Sequence, residues 1–266
     1  LRLKFKNPKK TKILVFDETV SELISDYILK DISHALYKIR PPVLYISISI
    51  LIKLLISVIK YYLGGFKFPI SYIYHLICFK KISPNVVVSF IDNSLIISWL
   101  SKKLPGVRFV TIQNGHRPNW QLNELGPFYV QNFYCFGKYD LDRFKKNPHI
   151  KIENYYNLGS LKLDIYLKFF KKIEIVKYEL TITSQFRDPL PFKDHYEALE
   201  SLAKMHKYLS RFSKKNKIKT CVVMASNSIK EKKYLRQFYP KNIKLMENIS
   251  QKFTSYSIIN KSHLIV

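Results

Sequence analysis

The sequence predicts an α/β protein made of two doubly wound halves, each with a largely parallel sheet. Three observations predict this class. Short apolar runs alternate with stretches of helical spacing, the runs end in compact polar loops, and the same grammar restarts after a charged connection at Lys171–Lys177. A chain of 266 residues, 47% of them hydrophobic, can build two medium-sized cores. The domains are read as residues 1–172 and 173–266.

The elements follow in order. Lys12–Phe16 (KILVF) is a buried strand that ends in Asp17-Glu18. Leu23, Ile24, Tyr27, Ile28, Ile32 and Leu36 fall at helical spacing, which predicts a helix over Val20–Tyr37. Val43–Leu63 is apolar apart from Lys53, Lys60 and several Ser and Tyr. It reads as one long helix opened by Pro41-Pro42, closed by Gly64-Gly65 and buried on most faces, its lysines reaching solvent. Two alternatives stay open for it. One is a helix lying on a membrane surface; the other is a span, which would place Lys53 near mid-bilayer at about 3 kcal/mol.

Val86–Ile91 is a strand, and Asp92-Asn93-Ser94 opens a helix to Lys103 with Asn93 or Ser94 as N-cap. Pro105-Gly106 turns the chain into the strand Arg108–Gln113, and Phe133–Phe136 and Tyr155–Leu158 are further strands. In the second half, Glu179–Thr183, Lys219–Ala225, Ile243–Met246 and Leu264–Val266 are strands. His195–Ser213 and Lys230–Phe238 are helices.

The net charge is +26, from 45 Lys+Arg against 19 Asp+Glu. Up to Phe170 there are 25 basic and 11 acidic residues, net +14; the remainder has 20 and 8, net +12. An excess spread this evenly argues against a dedicated nucleic-acid arm, and no specific nucleic-acid partner is expected. It favours anionic partners: nucleotides, acidic sugars and an anionic membrane surface. Cys78, Cys135 and Cys221 match no zinc or disulfide spacing and read as reduced thiols. The opening Leu1–Lys10 is basic with no apolar stretch behind it, unlike a signal peptide. These features point to a cytoplasmic chain, peripheral at the inner face of the cell membrane.

Ligands of parallel sheets bind beyond the carboxyl ends of the strands, so the strand list becomes a site list. It names Asp92 and Asn93; Gln113, Asn114, Gly115, His116 and Arg117; Gly159 and Ser160; and Ser184, Gln185 and Arg187. Ser226, after a later strand, heads another candidate ligand loop or a plain helix cap. The strongest local signal is Thr111–Pro118 (TIQNGHRP). Its Asn-Gly pair permits a sharp turn, His116 offers a general base and Arg117 a bidentate anion clamp. An ordinary turn with a solvated His and Arg is the other reading. Asp92 is either a catalytic base or a charge favoured by a helix N-terminus. No metal site is called for.

Val87–Leu100 (VVSFIDNSLIISWL) and Val110–Pro118 (VTIQNGHRP) together resemble bacterial surface-carbohydrate biosynthesis proteins of the GT-B type, which make capsule and lipopolysaccharide. Tyr156–Asp164 (YNLGSLKLD), Leu180–Asp188 (LTITSQFRD) and Ser255–Val266 fit the same pattern. The resemblance implies two Rossmann-like domains facing a cleft, and a glycosyltransferase that takes a nucleotide-sugar donor and a glycan or lipid-linked acceptor. It requires no cofactor beyond the donor itself. Asp92, Gln113, Asn114, His116 and Arg117 would line the acceptor side, Gln185 and Arg187 the donor side. The chain stops where that family continues into a Ser/Thr-rich loop and an acidic helix, so the second domain is expected to be incomplete. Polyol-phosphate transfer, nucleotide-sugar epimerisation and a non-catalytic basic nucleic-acid or membrane binder are the rival readings.

Overall fold

The computed structural model describes residues 2–16, 21–39, 42–65, 69–117, 119–124, 126–170, 176–186, 193–249 and 253–266. Asp17-Glu18, Pro41, Pro118 and most of the Lys171–Lys177 connection lie outside them. The chain forms two compact units, Leu1–Asp164 and Ile165–Val266, each a Rossmann-like α/β domain. The border falls eight residues before the 172 read from the sequence, inside a helix.

The first unit opens with β1 (Arg2–Lys4) and β2 (Ile13–Phe16). A three-residue helix, α1 (Ser21–Leu23), continues as a π-helical turn over Ile24–Ile28, closed by Leu29 N–H donating to the Ile24 carbonyl at 2.8 Å. The helix expected to run on to Tyr37 therefore stops early. Its last residues form β3 (Ala35–Tyr37), which pairs with β2 so that Tyr37 stands beside Phe16. Tyr37 is buried there, stacked on Phe16 and edge-on to Phe79, and burying that ring outweighs local helical spacing.

The long apolar stretch also divides. Val43–Tyr45 is β4, paired with β1, and the helix α2 spans only Ile48–Leu63. Ser47 sets its start, since its hydroxyl accepts from Ile50 N–H at 3.2 Å. Burial on most faces is overturned as well. Only Ile50 on this helix is fully buried, while Ile48, Leu51, Ile52, Leu55, Ile56 and Ile59 are exposed. No helix among the described residues is long and apolar enough to cross a membrane.

The remaining elements alternate: α3 (Ile70–Ile82), β5 (Val86–Ser89), α4 (Leu95–Lys103), β6 (Arg108–Ile112), α5 (Asn119–Glu124), β7 (Phe128–Cys135), α6 (Lys138–Lys146), β8 (Ile150–Asn157) and α7 (Leu161–Phe169). β7 and β8 begin about five residues earlier than the sequence suggested. Polar side chains such as Gln131 and Asn132 on β7 and Glu153 and Asn154 on β8 interrupt these strands and hide the apolar run. Six strands form one wholly parallel sheet in the order β3-β2-β5-β6-β7-β8. Phe79, Val87, Leu100 and Phe109 belong to one core cluster of this unit, and Phe128, Phe133, Phe144 and Ile150 to another.

The second unit contains β9 (Tyr178–Thr183), α8 (Lys193–Lys215), β10 (Thr220–Val223), α9 (Ile229–Arg236), β11 (Lys244–Met246), α10 (Thr254–Asn260) and β12 (Ser262–Ile265). Its four strands are parallel in the order β11-β10-β9-β12. Leu180, Ile182, Val222, Leu235 and Tyr239 form its main core. The three cysteines are free and buried, and burial pushes each thiol up.

His75 on α3 is hydrogen-bonded through Nδ1 to the Tyr37 hydroxyl at 2.9 Å, and burial lowers it from 6.5 to about 4. In the unfolded chain His75 takes up its proton near pH 6.5; the folded chain resists until about pH 4. Folding stability is therefore complete above pH 6.5 and falls as pH drops towards 4, by at most about 3 kcal/mol. Urea titrations at pH 7.5 and pH 4.5 measure this loss, which shrinks in His75→Gln.

Candidate functional site

The parallel register of β5, β6, β7 and β8 brings four loops to one edge of the six-stranded sheet. After β5, the Ser89 hydroxyl accepts from Ile91 N–H at 3.2 Å, a tight turn that delivers Asp92. Ser94, one of the two residues expected as cap, starts α4 with its hydroxyl accepting from Ile97 N–H at 3.4 Å; Asn93 is exposed just before it.

Asp92 is fully buried and forms a forked ion pair with Arg117. Arg117 Nε lies 3.1 Å from each carboxylate oxygen, and its Nη2 also donates to Asp92 Oδ1 and, at 2.6 Å, to Asn114 Oδ1. Burial pushes the Asp92 carboxyl up, and Arg117 pulls against that shift. Three residues named from sequence thus form one interlocked group. Because Asp92 is enclosed and its oxygens are held by Arg117, it positions the loop after β6 and presents no free base to solvent.

Gln113 is buried and ties that loop to the next strand. Its side chain donates to the Gly115 carbonyl at 3.1 Å and accepts from Phe136 N–H at 2.9 Å. His116, three residues on, has a side chain 56% exposed. Its Nδ1 is 3.2 Å from Asp140 Oδ1, and its Nε2 accepts from Arg143 Nη1 at 3.0 Å. Arg143 is in turn fixed by Asn119 Oδ1, at 3.1 Å from Nε and 2.8 Å from Nη2. The His116 ring stacks on Tyr139, over which the Arg143 guanidinium also lies.

Asp140 and Arg143, both on α6, escaped the sequence reading. The available signal was their spacing of three at the start of a helix following a strand end, which places both on one helical face. Gly159 and Ser160 complete the edge. Leu158 N–H and Gly159 N–H both donate to the Cys135 carbonyl, Gly159 has φ +82°, and Ser160 accepts from Leu163 N–H at 3.4 Å to start α7. Among the described residues no three His, Cys, Asp or Glu side chains converge as metal ligands would.

In the second unit, Ser184 and Ser226 meet a residue that was not anticipated, Glu231. This buried carboxylate accepts from the N–H groups of Ala225 (2.7 Å), Ser226 (2.7 Å) and Asn227 (3.0 Å) and from the Ser226 hydroxyl (2.9 Å). Burial raises Glu231, but the bonds from Ser184, Ala225 and Ser226 outweigh this and hold it below its ordinary value. The N–H groups of the loop headed by Ser226 are thus already met by a side chain of the protein. Ser228-x-x-Glu231 is a capping-box spacing, and the Ser228 hydroxyl accepts from Glu231 N–H at 3.1 Å. Gln185 is exposed after β9, and Arg187 lies outside the described residues.

A concavity of about 720 Å³ lies elsewhere, over an open face of the first sheet lined by Arg108, Val110, Asn132, Tyr134, Asn154 and Tyr156. None of the residues singled out from the sequence lines it.

No protein-family model and no curated protein matches the chain. Among solved structures it is similar to the co-structure of S. aureus MnaA with UDP, with a TM-score of 0.55 and 12% identity over 97% of this chain and 73% of that one. This likeness bears on the fold: two Rossmann-like domains of the GT-B type.

Removing one partner of a buried ion pair strands the other charge. Arg117→Ala is expected to destabilise the first unit by about 3 kcal/mol in urea titration, part of which returns when Asp92→Asn is added. Glu231→Ala leaves three loop N–H groups without their acceptor and is expected to cost about 3 kcal/mol by the same measurement in the second unit.

Proposed function

We propose that this protein is a nucleotide-sugar enzyme. More specifically, we infer a glycosyltransferase that moves a sugar from a nucleotide-activated donor to a glycan or lipid-linked acceptor in bacterial surface polysaccharide biosynthesis. The observation that carries this reading is the convergence of His116, Asp140, Arg143 and the Asp92–Arg117 pair at the carboxyl edge of one parallel sheet. The UDP held by the structurally similar MnaA supports a nucleotide as the donor's leaving group.

His116 is the group that reaches solvent, and it takes the role of general base. With Nε2 accepting from Arg143, we assign the ring proton to Nδ1, which lies 3.2 Å from Asp140 Oδ1, a buried oxygen that no hydrogen bond otherwise reaches among the described residues. An acceptor hydroxyl displaces the Arg143 guanidinium from Nε2 and gives its proton to that nitrogen as its oxygen bonds to the anomeric carbon. The bond from that carbon to the donor phosphate oxygen breaks, and the phosphate keeps the electron pair. Asp140 stabilises the imidazolium formed, and the displaced Arg143 remains beside the site as a fixed positive charge.

A second reading is nucleotide-sugar epimerisation. It is favoured by the Asp140 carboxylate beside the His116 imidazole, since inverting a ring carbon takes paired acid–base groups. One assay separates the two: UDP-sugars incubated in deuterated water, with and without a glycan acceptor. Transfer gives UDP release that depends on acceptor; epimerisation puts deuterium on the sugar ring without it. For transfer, His116→Ala is expected to lower turnover at least 100-fold with its thermal midpoint unchanged. Wild-type turnover in that variant would remove His116 from the mechanism.

A further inference from the structure

Helix α2 presents its apolar side to solvent. Ile48, Leu51, Ile52, Leu55, Ile56 and Ile59 recur at three- and four-residue spacing and are all exposed, Ile48 by 79% and Leu55 by 64%. The opposite side carries the half-buried Leu54, Val58 and Tyr61, which pack on the core shared with α3. A further exposed apolar side chain lies close to the helix start. Asn7 Oδ1 accepts from the Ser47 hydroxyl at 2.7 Å, which holds the β1 segment beside α2, and Phe5 in that segment is 78% exposed. An exposed apolar face of this length on one element marks a contact surface.

The charges around the stripe decide between occupants. Residues 32–91 contain seven Lys and Arg and no Asp or Glu, and residues 2–12 contain six and none. Lys53 and Lys60 are exposed along one border of the stripe, and Lys53 and Lys80 line a groove between α2 and α3. A second copy of this chain would bring an equally basic border against this one, which like-charge repulsion opposes. An anionic bilayer offers both a low-dielectric layer for the isoleucines and leucines and a negative surface for the lysines. At 16 residues, about 24 Å long, α2 suits a position in the headgroup plane.

We propose that the exposed face of α2, together with Phe5, seats this protein on the surface of an anionic lipid bilayer. This inference stands apart from the proposed catalytic role, because none of its residues belongs to the β5–β8 edge.

The test is co-sedimentation of the full chain with vesicles of phosphatidylcholine alone or mixed equally with phosphatidylglycerol, alongside light scattering for oligomeric state. The expected result is binding to the mixed vesicles that exceeds binding to phosphatidylcholine at least tenfold and weakens with salt. Leu55→Glu with Ile59→Glu, both exposed positions, is expected to cut binding at least tenfold while circular dichroism and thermal midpoint stay unchanged. Lys53→Glu with Lys60→Glu is expected to lower binding to the mixed vesicles at least tenfold and to leave the weak binding to phosphatidylcholine alone. Three results would overturn the proposal. They are no vesicle binding by the wild type, full binding by a folded Leu55→Glu/Ile59→Glu variant, or a concentration-dependent dimer that this variant abolishes without vesicle binding.

Discussion

The site depends on strand register. β5, β6, β7 and β8 run parallel with paired positions in near step, so their carboxyl ends finish at one edge and their loops meet there. Asp92 reaches Arg117 across 25 residues of sequence, Gln113 reaches Phe136 across 23, and His116 reaches Arg143 across 27. Each bond joins the loop after one strand to a neighbouring loop or to the helix that follows the next strand. Residues far apart in sequence become one polar group because the backbone ladder delivers them there.

The central strands could be read from sequence because their apolar runs are continuous, as in Val86-Val87-Val88, or broken by a single Thr, as in Phe109–Ile112. Elements whose identity is decided at a distance were harder. Tyr37 lies in a strand because Phe16 and Phe79 receive its ring, although the spacing before it is helical. α2 starts at Ser47 because Val43–Tyr45 finds a partner in β1, a pairing that no local pattern announces. Its exposed face was invisible for a related reason: periodicity shows that apolar residues share a side, and only the fold shows what that side meets.

The site divides in the same way. Gln113, Asn114, His116 and Arg117 announce themselves as polar residues around Asn-Gly at a strand end, and the structure gathers them. Their partners do not announce themselves. Asp140 and Arg143 sit on an ordinary charged helix and acquire meaning only beside His116. Glu231 acts through the loop three to six residues before it, where it occupies the amides that an anionic ligand would otherwise meet. Ser226 consequently serves the loop's own geometry, with its hydroxyl and N–H both donating to Glu231.

The buried Asp92–Arg117 pair also bears on how the sheet forms. Each charge is excluded from water only once β5 and β6 are aligned, and each needs the other when that happens. A β6 displaced by one residue would turn Gln113 and the loop behind it to the opposite face, leaving Asp92 enclosed without a counter-ion. Such an alignment carries a penalty of several kcal/mol that hydrophobic strands alone would not impose. The pair therefore favours the observed register over slipped ones. Slipped sheets are disfavoured before any ligand is present, and the polar edge forms in one arrangement.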